Sequence, residues 1–76
     1  MFEKIKFAQR LKQLRLDKAV SQNVIAALLG VTRTQISDME RAKTTTSLEK
    51  LAILAEYYNV SADYLLLLSD NPKRRG

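Results

Sequence analysis

The sequence predicts an all-α fold of five short helices, and three observations carry that prediction. Apolar residues recur three and four positions apart, nowhere alternating with polar ones as in a strand. The one proline stands at position 72, so no strong helix breaker interrupts the chain before it. Ser and Thr sit immediately ahead of the apolar-periodic segments, where a side-chain oxygen can cap free backbone N–H groups.

Helix 1 is expected from about Glu3 to Asp17, with Phe7, Leu11 and Leu14 forming the buried stripe and Lys4, Lys6, Arg10, Lys12 and Lys18 around it. Asp17 to Ala19 makes the turn. Helix 2 starts behind Ser21 and runs from Gln22 to Leu29, burying Ile25, Ala26 and Leu29; Gly30 supplies the left-handed stop. Helix 3 opens at Thr32, where "TRTQ" forms a capping box with Gln35, turns Ile36 and Met39 inward, and ends near Arg41. "AKTTT" is a polar loop. A second capping box, Thr46 to Glu49, is expected to open helix 4, with Leu48, Leu51, Leu54, Ala55 and Tyr58 inward and Asn59 as its left-handed stop. Ser61 caps helix 5, expected to continue through Leu68. Residues 1–69 form one domain and residues 70–76 a basic, flexible tail; no internal repeat or low-complexity segment is found.

At 76 residues the chain is about half of the ~150 typical of a domain, so a single domain with a small core is expected. It contains no cysteine and no histidine, which removes disulfides, thiolate metal sites and the commonest general base. No nucleophile–base pair, metal cluster or glycine-rich phosphate loop points to an enzyme, and no cofactor is expected. The longest apolar run, Leu65 to Leu68, is far below the ~20 residues that span a bilayer, and the N-terminus lacks a signal peptide's apolar block. A soluble, cytoplasmic protein without membrane association is expected. Net charge is +5 with a pI near 9.8, and the surplus is uneven. Lys4, Lys6, Arg10, Lys12, Arg15 and Lys18 face only Glu3 and Asp17 in the first twenty residues, while residues 44–69 are acidic on balance. Such polarity suits a polyanion on one side of the molecule.

Helices 2 and 3, joined by a short turn containing glycine, form a helix-turn-helix pattern. Taken alone, the outward face of helix 3 fits either a solvated surface or a reading head. The ordered set Leu11, Leu14, Arg15, Ser21-Gln22, Ile25-Ala26, Leu29-Gly30-Val31-Thr32, Ile36-Ser37, Glu40, Lys43, Ser47-Leu48-Glu49, Leu51, Leu54-Ala55, Val60-Ser61 and Leu65 resembles the Xre family. That family includes the phage lambda repressor and Cro proteins, and the match covers residues 5 to 68. The resemblance implies a compact, five-helix lambda-repressor-like DNA-binding domain, bacterial or phage-encoded and associated with the nucleoid.

It further implies that helix 3 enters the major groove of double-stranded DNA while neighbouring groups grip phosphates. Arg33, Thr34 and Asp38 match the base-reading positions, with Gln35 and Ser37 at the edge of the same face. Arginine suits guanine, threonine a thymine methyl or a hydrogen-bonding edge, and aspartate a cytosine amine or the exclusion of wrong bases. Gln22, Thr32, Arg15, Arg41, Lys43 and Thr44, with Thr45 beside it, match phosphate-facing positions; for the two threonines a merely solvated loop is the alternative. Arg15 and Glu40 match a buried ion pair between helices 1 and 3. Tyr57, Tyr58, Val60, Tyr64, Leu67 and Leu68 match the region through which related repressors form homodimers.

Ala19 and Ala42 depart from the pattern by standing where glycine is common, which puts the shape of those turns and the path of the loop after helix 3 in question. Val24, Leu28, Ile53, Tyr57, Tyr64 and Leu67 are apolar at positions usually polar. The sequence thus reads as a transcriptional regulator, a repressor binding a palindromic operator as a dimer. The competing class is a protein-interaction module of the same fold, an antitoxin or phage control subunit, with a protein partner.

Overall fold

A computed structural model describes residues 2–74. Its helices, in chain order, are α1 Lys4–Asp17, α2 Gln22–Leu29, α3 Arg33–Glu40, α4 Leu48–Tyr58 and α5 Ala62–Leu65. No strand occurs among the described residues. The helices enclose one core built from Phe7 and Leu11 of α1, Ile25, Ala26 and Leu29 of α2, and Ile36 and Met39 of α3. Leu51, Leu54 and Ala55 of α4 complete it with Val60 and Leu65. α2 packs chiefly on α3, and α3 also leans on α1; α5 closes the molecule against α4 and α1.

The helix starts follow from their caps. Ser21, Thr32, Ser47 and Ser61 each stand in extended backbone and accept a hydrogen bond from the N–H three residues on, which satisfies a donor no helical carbonyl can reach. The Thr32–Gln35 capping box is complete, with Gln35 Oε1 accepting from the Thr32 N–H at 2.9 Å. The second expected box is not the one formed: Ser47, not Thr46, caps α4. Leu48, expected to point inward, is the first residue of α4, ahead of the turns that carry Leu51 and Leu54 onto the core, and is 85 % exposed. Tyr58 and Leu14 are half-buried, packing against the core from its edge.

The helix ends share one solution. Each is closed by a residue with positive φ: Ala19, Gly30, Ala42, Asn59 and Leu67, between 54° and 68°. The N–H after it reaches back five residues, from Val20 to Arg15, Val31 to Ala26, Lys43 to Asp38, Val60 to Ala55 and Leu68 to Asp63, at 2.8–3.3 Å. This is the Schellman closure, and it uses carbonyls that would otherwise go unpaired. Ala19 and Ala42 therefore keep the shape that glycine favours and bear the steric cost of a Cβ in it. Leu67 does the same, which is why helical structure stops at Leu65 rather than continuing through Leu68.

The segment expected to be a flexible tail is exposed and non-helical through residue 74 and touches the helical part through two hydrogen bonds. The Ser61 N–H donates to the Pro72 carbonyl at 2.9 Å, and Arg74 Nη1 donates to the Ala55 carbonyl at 3.5 Å; ahead of this segment, Arg10 Nη1 donates to the carbonyl of Tyr64 at 2.7 Å. The Arg10 guanidinium lies 4.0 Å from the centre of the Tyr64 ring. The last two tail residues, Arg75 and Gly76, lie outside the described residues.

Candidate nucleic-acid interface

α3 is anchored on one side and open on the other. Ile36 and Met39 are buried beneath it, whereas Arg33, Thr34 and Gln35 on its first turn are exposed. Ser37 and Asp38 are half-exposed along the same helix. The turn that presents this face is fixed by Gly30 in the left-handed region and by the half-buried Val31 behind it. The expected base-reading residues are thus brought together on one short helix, with Gln35 partly committed to the cap.

Asp38 does not stand alone among the acceptors of this face. Arg41 Nη2 donates to Asp38 Oδ1 at 3.0 Å, so the carboxylate carries its own counter-charge. The pair is too exposed to add much stability, typically under ~1 kcal/mol, but it removes the repulsion a bare carboxylate would feel beside a polyanion.

Arg15 and Glu40 meet as a bidentate pair. Arg15 Nε donates to Glu40 Oε2 at 2.7 Å and Nη2 to Oε1 at 3.0 Å, with side chains 11 % and 5 % exposed. Arg15 Nη1 donates to the Val20 carbonyl at 3.0 Å. This geometry argues against the phosphate role expected of Arg15: the guanidinium is enclosed and occupied, tying α1 to the end of α3. Its hydrogen bond to Glu40 raises the Arg15 pKa further above an already high value. Burial, reinforced by the Glu40 charge, pushes the nearby Tyr58 hydroxyl well above its ordinary range.

Gln22 sits between this pair and the reading face. Its Nε2 donates to Glu40 Oε1 at 3.2 Å, while its Oε1 accepts from Arg33 Nη1 at 3.3 Å. The expected phosphate residue therefore makes two side-chain contacts that no local pattern signals, because they join positions eleven and eighteen residues apart.

Beyond α3 the chain turns at Ala42. At the residue following the left-handed position, α1, α2 and α4 place Val20, Val31 and Val60 against the core; α3 places an exposed Lys43 there. The backbone that in those three turns pins an apolar anchor here holds out a cation. Thr44 and Thr45 follow it and border a pocket of about 220 Å³, shared with Gln35 and Asp38 of α3 and with Thr46, Ser47 and Lys50 at the start of α4. Lys50, which the sequence reading did not single out, is the one cation among these lining residues and is half-exposed.

The expected dimer residues divide. Val60 is only 5 % exposed and belongs to the protomer's own core, so it has almost no surface to offer a second chain. Tyr57 and Tyr58 stack edge to face at 5.2 Å and, like Tyr64 and Leu67, are half-buried against the core. Leu68 alone of the set is fully presented, at 65 % exposure. Val24, Leu28 and Ile53 are exposed, as apolar residues at usually polar positions should be.

Comparison with known proteins converges on one family. The helix-turn-helix family model HTH_3 matches residues 11–65. The chain is 36 % identical over 66 residues to the uncharacterized HTH-type transcriptional regulator YobD of Bacillus subtilis, covering 87 % of this chain and 59 % of YobD. It is 36 % identical over 62 residues to the HTH-type transcriptional activator BcrR of Enterococcus faecalis, covering 82 % of this chain and 30 % of BcrR. It therefore spans a part only of these relatives. Among solved structures, the restriction-modification controller protein C.AhdI of Aeromonas hydrophila superposes with a TM-score of 0.71 at 34 % identity, over 80 % of this chain and 92 % of that one. The P22 c2 repressor, solved in complex with a synthetic operator, superposes with a TM-score of 0.73 at 30 % identity, over 79 % of this chain and 91 % of that one. With five helices, a glycine-closed turn between α2 and α3, and a family match across most of its length, the chain belongs to the Cro/C1-type helix-turn-helix family, a family of DNA-binding regulators rather than enzymes.

Proposed function

We propose that this chain binds double-stranded operator DNA sequence-specifically and regulates transcription, most directly by repression. The observation that carries the reading is the arrangement of α3: an apolar back locked into the core, a first turn that exposes Arg33 and Thr34, and an exposed, cationic Lys43 where the turns after α1, α2 and α4 pack a valine on the core. α3 lies in the major groove, with Arg33 and Thr34 on base edges and Gln35, Ser37 and Asp38 flanking them. Gln22, Thr32, Arg41, Lys43 and Thr44 face phosphates, and Lys50 is placed to join them; Arg15 holds Glu40 instead. Asp38 excludes bases that offer it no amine, its charge otherwise matched by Arg41.

The operator is palindromic and read by a homodimer, the half-sites lying about 34 Å apart. Leu68, with the exposed parts of Tyr57, Tyr64 and Leu67, supplies the contact between protomers. No helix among the described residues is long and apolar enough to cross a membrane, which accords with a regulator working on the bacterial nucleoid in the cytoplasm.

Selection from a pool of randomised duplexes, followed by titration of the selected sequence at several salt concentrations, tests this reading. A palindromic consensus and a steeply negative dependence of log affinity on log salt are expected. Weak binding with no consensus would overturn it.

A further inference from the structure

Four side chains form a continuous path from the buried ion pair to the reading face. Arg15 grips both oxygens of Glu40; Glu40 Oε1 also accepts from Gln22 Nε2 at 3.2 Å; and Gln22 Oε1 accepts from Arg33 Nη1 at 3.3 Å. The direction of the amide is dictated by its neighbours. A carboxylate can only accept and a guanidinium can only donate, so Gln22 must turn its NH₂ to Glu40 and its oxygen to Arg33. Glu40 is nearly enclosed and fixed by two charge-assisted bonds, so it transmits its position rather than yielding.

We propose that Glu40, acting through Gln22, is a positioning residue for base recognition, so that the buried pair helps decide which base Arg33 selects. The proposal rests on the reading of Arg33 as a base-contacting residue. An exposed arginine samples many rotamers, and one already held at Nη1 loses less freedom on reaching a base. The bond to Gln22 uses one of five guanidinium N–H groups, which leaves four, enough for the O6 and N7 acceptors of a guanine. One N–H of Gln22 also remains for a phosphate, so both roles of this residue can operate at once.

Glu40→Gln sharpens the expectation. A glutamine has one oxygen, which Arg15 claims; its NH₂ then faces Gln22, whose amide must turn over and offer donors to Arg33. Arg33 loses its acceptor although every residue remains of similar size. Gln22→Met tests the link to Arg33: it keeps the length of the side chain at a half-exposed site and removes both bonds; where Glu40→Gln does not fold, Arg15→Met/Glu40→Leu, which strands no charge, takes its place in every comparison below.

The experiment is selection of randomised duplexes with wild type, Arg33→Ala, Gln22→Met, Glu40→Gln and the double variant Arg33→Ala/Gln22→Met, with folding checked by circular dichroism. Gln22→Met should weaken preference at the base pair that Arg33→Ala relaxes, by about three- to tenfold, as expected for one hydrogen bond in a coupled network. It should cause no further change at that pair in the Arg33→Ala background. Folded Glu40→Gln should relax the same pair. If Gln22→Met weakens all duplexes equally and leaves that preference intact, the relay is overturned and Gln22 acts on phosphates alone. If Gln22→Met relaxes the pair and folded Glu40→Gln does not, the contribution of Glu40 is overturned. If Arg33→Ala changes no position, the base-reading role fails and the relay with it, an outcome distinct from the other two.

Discussion

Glu40 is the residue on which the most geometry depends. It receives two bonds from Arg15 and one from Gln22 while almost wholly removed from solvent. Glu40→Ala leaves the Arg15 guanidinium enclosed without its anion, and stability should fall by roughly 3–5 kcal/mol in urea denaturation. Replacing both partners with apolar residues of similar volume should cost much less, since no charge is then stranded. Beside this pair, Tyr58 titrates above its ordinary range when folded. The folded state thus holds the phenolic proton more tightly than the unfolded one, whose tyrosine ionises near ~10. Stability from this source is complete below that pH and declines as pH rises through and above it. Alkaline unfolding followed by circular dichroism should show the decline, and Tyr58→Phe should flatten it. The pairing of Arg15 with Glu40, twenty-five residues apart, was legible only through family resemblance, because helical periodicity reports neighbours three and four positions away. The links from Gln22 to Glu40 and to Arg33 carried no sequence signal at all.

At the scale of elements, the starts of helices were easier to read than their ends. A cap is a chemical event, an oxygen accepting from a particular N–H, and Ser or Thr before an apolar run announces it. An end closed by a left-handed residue is announced only when that residue is glycine or asparagine, as at Gly30 and Asn59. Ala19, Ala42 and Leu67 adopt the same conformation because the 6→1 bond and the core behind it hold them there. Ala19→Gly and Ala42→Gly should each raise stability by about 0.5–1 kcal/mol, the steric relief exceeding the extra freedom gained by the unfolded chain. Thermal melts of the single variants would check this. The start of α4 offers a paired comparison: Ser47→Ala should cost about 1 kcal/mol, and Thr46→Ala should stay within ~0.5 kcal/mol. Equal losses would contradict the assignment of Ser47 as the cap.

Over the whole molecule, about 30 × 24 × 22 Å, charge and burial sort the surface. The basic first twenty residues, Arg33, Arg41 and Lys43 stand against an acidic balance in residues 44–69, a polarity already plain in the sequence. What the sequence hid was which apolar residues were spare: Val60 is consumed by the core, Leu48 is not, and Leu68 is left outside by the left-handed Leu67. Leu68→Asp should therefore weaken self-association in sedimentation while leaving the fold intact, whereas Val60→Asp should unfold the protein. For DNA, Lys43→Ala should weaken binding to all sequences alike and reduce the salt slope by about one, the signature of a phosphate contact. Whether the first turn of α3 reads bases is decided by comparing the consensus selected by wild type with that selected by Arg33→Ala. One base pair, repeated symmetrically in the two half-sites, should lose about 1–3 kcal/mol of discrimination while the other positions hold. A consensus unchanged at every position would contradict base reading by this turn.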